Sequence, residues 1–169
     1  MTDPEERIER QVGETLRERG ETVAVAESCT GGLVGSLLTD VPGSSAYFDR
    51  SLVTYSYDAK QALLAVSREA LDAHGAVSEP VARQMARAVR DTAGTDWGVA
   101  TTGVAGPTGG SPETPVGTVY IAVAHAAPWE TEASDCTVSH YEFEGSRTEV
   151  KRAIAERALE DLLESQQNQ

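Results

Sequence analysis

Lysine is almost missing from this chain: of its 14 basic residues only Lys60 and Lys151 are lysines, and the other 12 are arginines. Positive charge of any kind is outnumbered, with 27 Asp and Glu against those 14 and a net charge of -13. A broad basic face is therefore excluded, and with it a protein that grips nucleic acid or an anionic membrane by displacing counterions. Apolar runs stay far short of the ~20 residues a membrane span needs. Only two cysteines occur, Cys29 and Cys136, without a CxxC pair, and the three histidines (His74, His125, His140) form no HExxH. Neither a disulfide framework nor a metal site is expected. His140-Tyr141-Glu142 matches half of a zinc deaminase signature, but no P-C-x-x-C follows it. Residues 1–6 lack the basic and apolar stretches of a secretory signal, so a cytoplasmic, reduced protein is expected. The surplus of carboxylates with so little lysine predicts adaptation to high salt, where charges are screened over a few ångströms.

What remains is enough for one globular domain, since 40% of the 169 residues are hydrophobic. Asp3-Pro4-Glu5-Glu6 combines a cap, a first-turn proline and a capping-box acid, and Ile8, Val12 and Leu16 then recur at helical spacing up to Gly20. Thr22 to Ala26 reads as a buried strand that runs through Ser28-Cys29-Thr30-Gly31-Gly32 into a helix marked by Leu33, Val34, Leu37 and Leu38. A second strand is expected over Ser51–Tyr55, followed by a helix capped by Asp58. Further helices start near Ser67 and Ser78, the latter stopping at Gly94. Trp97 to Thr102 reads as a third strand, Thr118 to Ala124 as a fourth, and Cys136 to Phe143 as an edge strand; Ser146 and Glu149 open a last helix. Residues 103–117 hold five glycines and three prolines, so that segment is a loop of prescribed shape. Interleaved strands and helices predict a single-domain α/β fold, a three-layer α/β/α sandwich on a mixed, mostly parallel sheet.

In such sheets ligands bind outside the carboxyl ends of the strands. Three segments occupy those positions: Ser28 to Gly32, Tyr55 to Lys60, and Thr102 to Gly117. Ser28 suits either a nucleophile on a strand-to-helix turn or a plain helix cap. Cys29 suits either a nucleophile or a small buried thiol. Lys60, just inside a helix N-terminus, has either a depressed pKa and a role as base or a solvated surface position. Tyr55 either relays a proton and orients a ligand or simply packs, and Arg147 is either a phosphate ligand or a surface residue. The glycine-proline loop has no P-loop lysine and no GxGxxG, which leaves an anion cradle or a tight crossover connection.

Ala26-Glu27-Ser28-Cys29-Thr30-Gly31-Gly32, Val53-Thr54-Tyr55-Ser56 with Lys60, Gly75-Ala76-Val77-Ser78, Thr102-Gly103-Val104-Ala105-Gly106-Pro107-Thr108-Gly109-Gly110 and Pro115-Val116-Gly117-Thr118-Val119 resemble, in order, the CinA C-terminal domain family over about residues 5–165. The resemblance implies an amidase that hydrolyses the carboxamide of nicotinamide mononucleotide to nicotinate mononucleotide and ammonia, without metal or cofactor. It places the catalytic roles on Ser28, Lys60 and Tyr55. Substrate contacts fall on Cys29, Thr30, Gly31, Gly32, Thr102, Gly103, Gly106 and Arg147. The expected partners are a small nucleotide, a second copy of the chain in a dimer, and a separate pyrophosphatase-like protein, because longer members carry an N-terminal domain of that kind for which 169 residues leave no room. Two other readings stand beside it: an amidase for a different pyridine nucleotide, and a nucleotide-binding or docking domain of the same fold without catalysis. Three departures from the family pattern are Tyr57 where a small polar residue is usual, Thr114 in place of a common lysine, and Arg87 to Arg90 where a glycine often interrupts the helix end.

Overall fold

The structure, a computed structural model, describes Asp3 and residues 6–169. Pro4 and Glu5, two members of the expected first cap, lie outside the described residues. Helix α1 runs over Ile8–Arg19, with Arg7 in extended conformation before it and no side-chain cap, and Gly20 closes it in the left-handed conformation. Strand β1 (Val23–Glu27) leads through the 28–32 turn to helix α2 (Leu33–Thr39). Strand β2 (Phe48–Val53) then joins helix α3 (Tyr57–Leu64), helix α4 (Arg68–His74) and helix α5 (Glu79–Ala93). Strands β3 (Trp97–Gly103), β4 (Thr118–His125) and β5 (Asp135–Glu142) and helix α6 (Arg147–Gln167) complete the chain. No helix among the described residues is long and apolar enough to cross a membrane.

The five strands form one sheet in the order β2-β1-β3-β4-β5. β1 pairs in parallel with β2 and β3, whereas β3–β4 and β4–β5 are antiparallel, so the sheet is mixed with a parallel core. Its two faces differ in side-chain size. Val23, Val25, Trp97, Val99, Val119, Ile121 and Val123 face a layer made by α1, α2 and α6. Their neighbours Ala24, Ala26, Ala100, Ala122 and Ala124 face the layer of α3, α4 and α5. The alternation follows from the two-residue period of a strand. Small residues on the second face let α5 lie close: a Cβ built on Gly98 would stand 2.2 Å from the Ala86 carbonyl oxygen.

Beyond the start of α1, two boundaries differ from the sequence reading. β2 begins three residues early, because Phe48 pairs with Val23 and polar Asp49 and Arg50 sit on an edge strand that tolerates exposure. The cap of α3 is Ser56, extended and accepting from the Ala59 amide at 3.0 Å, so Asp58 belongs to the first turn, where its charge still favours the helix dipole. α5 starts directly after Ser78, where expected, while the Ser78 hydroxyl donates to the Gly75 carbonyl at 2.8 Å rather than capping the helix. Ser67 and the Ser146–Glu149 capping box stand where expected. At the end of the sheet that holds the β3 N-terminus, residues 126–134 link β4 to β5 and carry Trp129 with 96% of its surface exposed.

Candidate active site

β1 delivers Ser28 at its carboxyl end. The Ser28 amide donates to the Thr101 carbonyl (3.0 Å) and the Gly31 amide donates back to the Ser28 carbonyl (3.1 Å), which closes the turn. Gly31 and Gly32 follow with φ of 58° and 101°, and two consecutive left-handed residues explain why both are glycine. Ser28 is not a helix cap. The N-terminal amides of α2 at Gly32, Val34 and Gly35 go instead to the Glu27 carboxylate, at 3.2, 2.8 and 3.1 Å. The Ser28 hydroxyl is thereby left for another partner.

That partner is Lys60. It stands in the first turn of α3, fully buried, with Nζ 2.9 Å from Ser28 Oγ, 2.6 Å from the Thr54 carbonyl oxygen and 3.3 Å from that of Tyr55. Of its two sequence readings, the solvated surface lysine is overturned. Burial strips solvent from the ammonium and lowers its pKa from 10.5 to about 8, slightly opposed by the neighbouring Cys29 thiol. Burial acts on Cys29 in the other direction: its thiol is pushed up to about 12, with the Glu27 charge adding to the effect and Lys60 opposing it. A thiol held neutral is a poor nucleophile, so of the two readings of Cys29 the structure favours the small buried thiol.

Both groups open onto a cleft of about 400 Å³ whose lining includes Ser28, Cys29, Tyr55, Lys60, Thr102, Gly103, Gly106 and Arg147. The remaining three residues expected at the ligand are placed elsewhere. Thr30 is buried, its hydroxyl donating to Glu27 at 2.7 Å and lying 2.8 Å from Thr101 Oγ1. Gly31 and Gly32 shape the turn without lining the cleft. Arg147, the first residue of α6, rims one side, where Nη1 donates to the Gly106 carbonyl at 2.6 Å and Nη2 to the exposed Tyr55 hydroxyl at 3.2 Å. Thr102 anchors the opposite wall by donating to the Ala76 carbonyl at 2.8 Å.

Sequence reasoning passed over several lining residues, among them Tyr57, His74, Ala76 and Thr108. Tyr57, noted only as a departure, accepts from the Ala76 amide at 3.3 Å and so braces the 75–77 wall. Glu27 was also missed as a functional group. Its signal was available: an acid closing a strand that is otherwise fully apolar needs buried partners.

A mixed sheet between two helical layers, with a buried serine–lysine contact under a cation-rimmed cleft at the carboxyl ends of its parallel strands, defines an α/β protein of the three-layer class whose cleft is the candidate site. Comparison places it further. The family model for the CinA C-terminal domain matches residues 5–166, and the chain belongs to that family. CinA-like proteins of Chlorobaculum tepidum and Chlorobium limicola are 51% and 48% identical over 156 and 158 residues, covering 92% and 91% of this chain. The chain spans only 36% and 35% of their respective lengths. Among solved structures, the competence/damage inducible protein CihA from Agrobacterium tumefaciens is 39% identical with a TM-score of 0.87, over 93% of this chain and 92% of that one. A CinA superfamily protein from Klebsiella pneumoniae reaches 0.89 at 31% identity, over 96% and 97%.

Proposed function

We propose that this chain is a serine–lysine amidohydrolase that converts nicotinamide mononucleotide to nicotinate mononucleotide and ammonia. The observation that carries the reading is the contact between Lys60 Nζ and Ser28 Oγ at 2.9 Å, made by a lysine that is fully buried and whose pKa lies near 8. The substrate itself rests on family membership and on a cleft rimmed by Arg147, which suits an anionic group.

Neutral Lys60 takes the Ser28 proton as Oγ attacks the carboxamide carbon. The tetrahedral oxyanion needs N–H donors. Ser28, Gly31 and Gly32 have spent theirs within the protein, so of this turn the amide of Cys29, which lines the cleft, is the donor assigned to it, at roughly 3 kcal/mol in comparable sites. Collapse breaks the carbon–nitrogen bond, and Lys60 returns the proton to the departing nitrogen, which leaves as ammonia. Water then loses a proton to Lys60 as it attacks the acyl-Ser28 ester, and return of that proton to Oγ releases the acid. Tyr55, held by Arg147 at the cleft mouth, orients the nucleotide rather than carrying a proton, since its hydroxyl points to Arg147.

The test is ammonia release from nicotinamide mononucleotide, with Ser28→Ala as control. Turnover by the wild type, a loss of at least a thousandfold in Ser28→Ala, and nucleotide affinity within about tenfold are expected. Tight binding without turnover by folded wild-type protein would establish the non-catalytic reading, and turnover of a different pyridine nucleotide alone would correct the substrate.

A further inference from the structure

Glu27 is a fully buried acid one residue before Ser28 that the steps above leave unused. Its Oε1 receives Thr30 Oγ1 at 2.7 Å, the Val34 amide at 2.8 Å and the Gly32 amide at 3.2 Å. Its Oε2 receives Ser51 Oγ at 2.5 Å and the Gly35 amide at 3.1 Å. All five donors are neutral, and they come from the turn, from α2 and from β2. A carboxylate offers about four lone-pair sites, so its accepting capacity is filled. The Glu27 main chain reaches the other half of the site: its carbonyl accepts from the Thr54 amide at 2.8 Å, and the Thr54 carbonyl is the nearest partner of Lys60 Nζ.

We infer that Glu27 is a positioning residue, whose carboxylate locks the Ser28 turn onto α2 and β2 so that Ser28 Oγ stays opposite Lys60 Nζ. This rests on the serine–lysine reading above. The chemistry calls for a carboxylate in particular. An amide in its place accepts at one end only, and its NH2 end would confront two or three of the donors already there. The role is geometric, not electrostatic, for the hydrogen-bond partners of the Lys60 nitrogen are Ser28 Oγ and two carbonyls, and Glu27 is not among them.

The test uses a fluorophosphonate, which phosphonylates an activated serine whatever the natural amide, with labelling of Ser28 followed by mass spectrometry across pH. Wild type should label at Ser28 with a rate that climbs through a limb near pH 8. Glu27→Gln should label about a hundredfold more slowly, the scale of a displacement of about 1 Å, with its limb at the same pH. Ser51→Ala and Thr30→Val each remove one donor and should slow labelling several-fold; they decide the matter if Glu27→Gln does not fold. Wild-type rates in the folded variants would overturn the positioning role, as would slow labelling with a displaced limb, which would make Glu27 an electrostatic group. Absence of Ser28 labelling in the wild type is a different result: it removes the serine–lysine reading itself and this inference with it.

Discussion

Lys60 Nζ lies nearer to the Thr54 carbonyl oxygen, at 2.6 Å, than to the Ser28 hydroxyl, at 2.9 Å. The Tyr55 carbonyl at 3.3 Å is a second neighbour that can only accept. A neutral amine has two N–H bonds and one lone pair, so the two carbonyls take both hydrogens and the lone pair is left for the Ser28 hydroxyl. After proton transfer the third N–H donates to Oγ. The same three neighbours thus satisfy the amine in both of its protonation states, without a carboxylate among them.

The first prediction follows from that arrangement. The kcat/KM profile should rise through an ascending limb near pH 8, well below the ordinary lysine value. Lys60→Arg should be as inactive as Lys60→Met, because a guanidinium keeps its proton. Substantial activity in Lys60→Arg alone, measured in folded proteins at matched salt, would make Lys60 an anchor of charge and remove it as a base.

Stability should carry the same signature. The unfolded chain binds the Lys60 proton more tightly than the folded one, so between pH 8 and 10.5 unfolding takes up protons and wild-type stability rises with pH. The full gain is about 3 kcal/mol, and below pH 8 the cost of burying the charge is at its maximum. Lys60→Met lacks this contribution. Its stability relative to the wild type, followed by denaturant titration from pH 6.5 to 10.5, should therefore fall by about that amount; a pH-independent difference would contradict the lowered pKa.

Arg147 joins Tyr55 to Gly106 across the cleft mouth. If it also holds the nucleotide phosphate, nicotinamide riboside should be a poorer substrate than the mononucleotide by roughly a hundredfold in kcat/KM. Arg147→Lys should erase most of that preference, since it loses the planar fork. Equal kcat/KM for the two substrates would dismiss phosphate recognition at this site.

Away from the cleft, Gly98→Ala should cost about 3 kcal/mol or more, because its methyl would meet the Ala86 carbonyl oxygen at 2.2 Å and α5 would have to lift off the sheet. Urea unfolding checks this, and a change below 1 kcal/mol would mean that α5 shifts at little cost.

Much of this molecule can be read from its residues, for reasons that are local. The run from Thr22 to Leu38 declares a buried strand, a glycine-paired turn and a helix, and the structure has all three. Lys60 stands out because lysine is rare here, and it is the buried base candidate. What stayed hidden depends on contacts distant in sequence. The preference of α2 for Glu27 over Ser28 as its cap is settled by how the turn folds back, and the edge position of β2 by its pairing with β1. Tyr57 stands out in the sequence as a departure from the family pattern, but that its hydroxyl accepts from the Ala76 amide 19 residues away is set by the fold alone. Gly98 gave no sign in sequence of the helix lying over it.

The bare tip between β4 and β5 has a practical use. β4 starts at the cleft and runs eight residues away from it, about 25 Å at strand rise, so Trp129 projects from the far pole of the domain. A dye, biotin or surface tether attached there would leave the mouth of the cleft facing outward, and the protein could be immobilised in one orientation with its chemistry undisturbed.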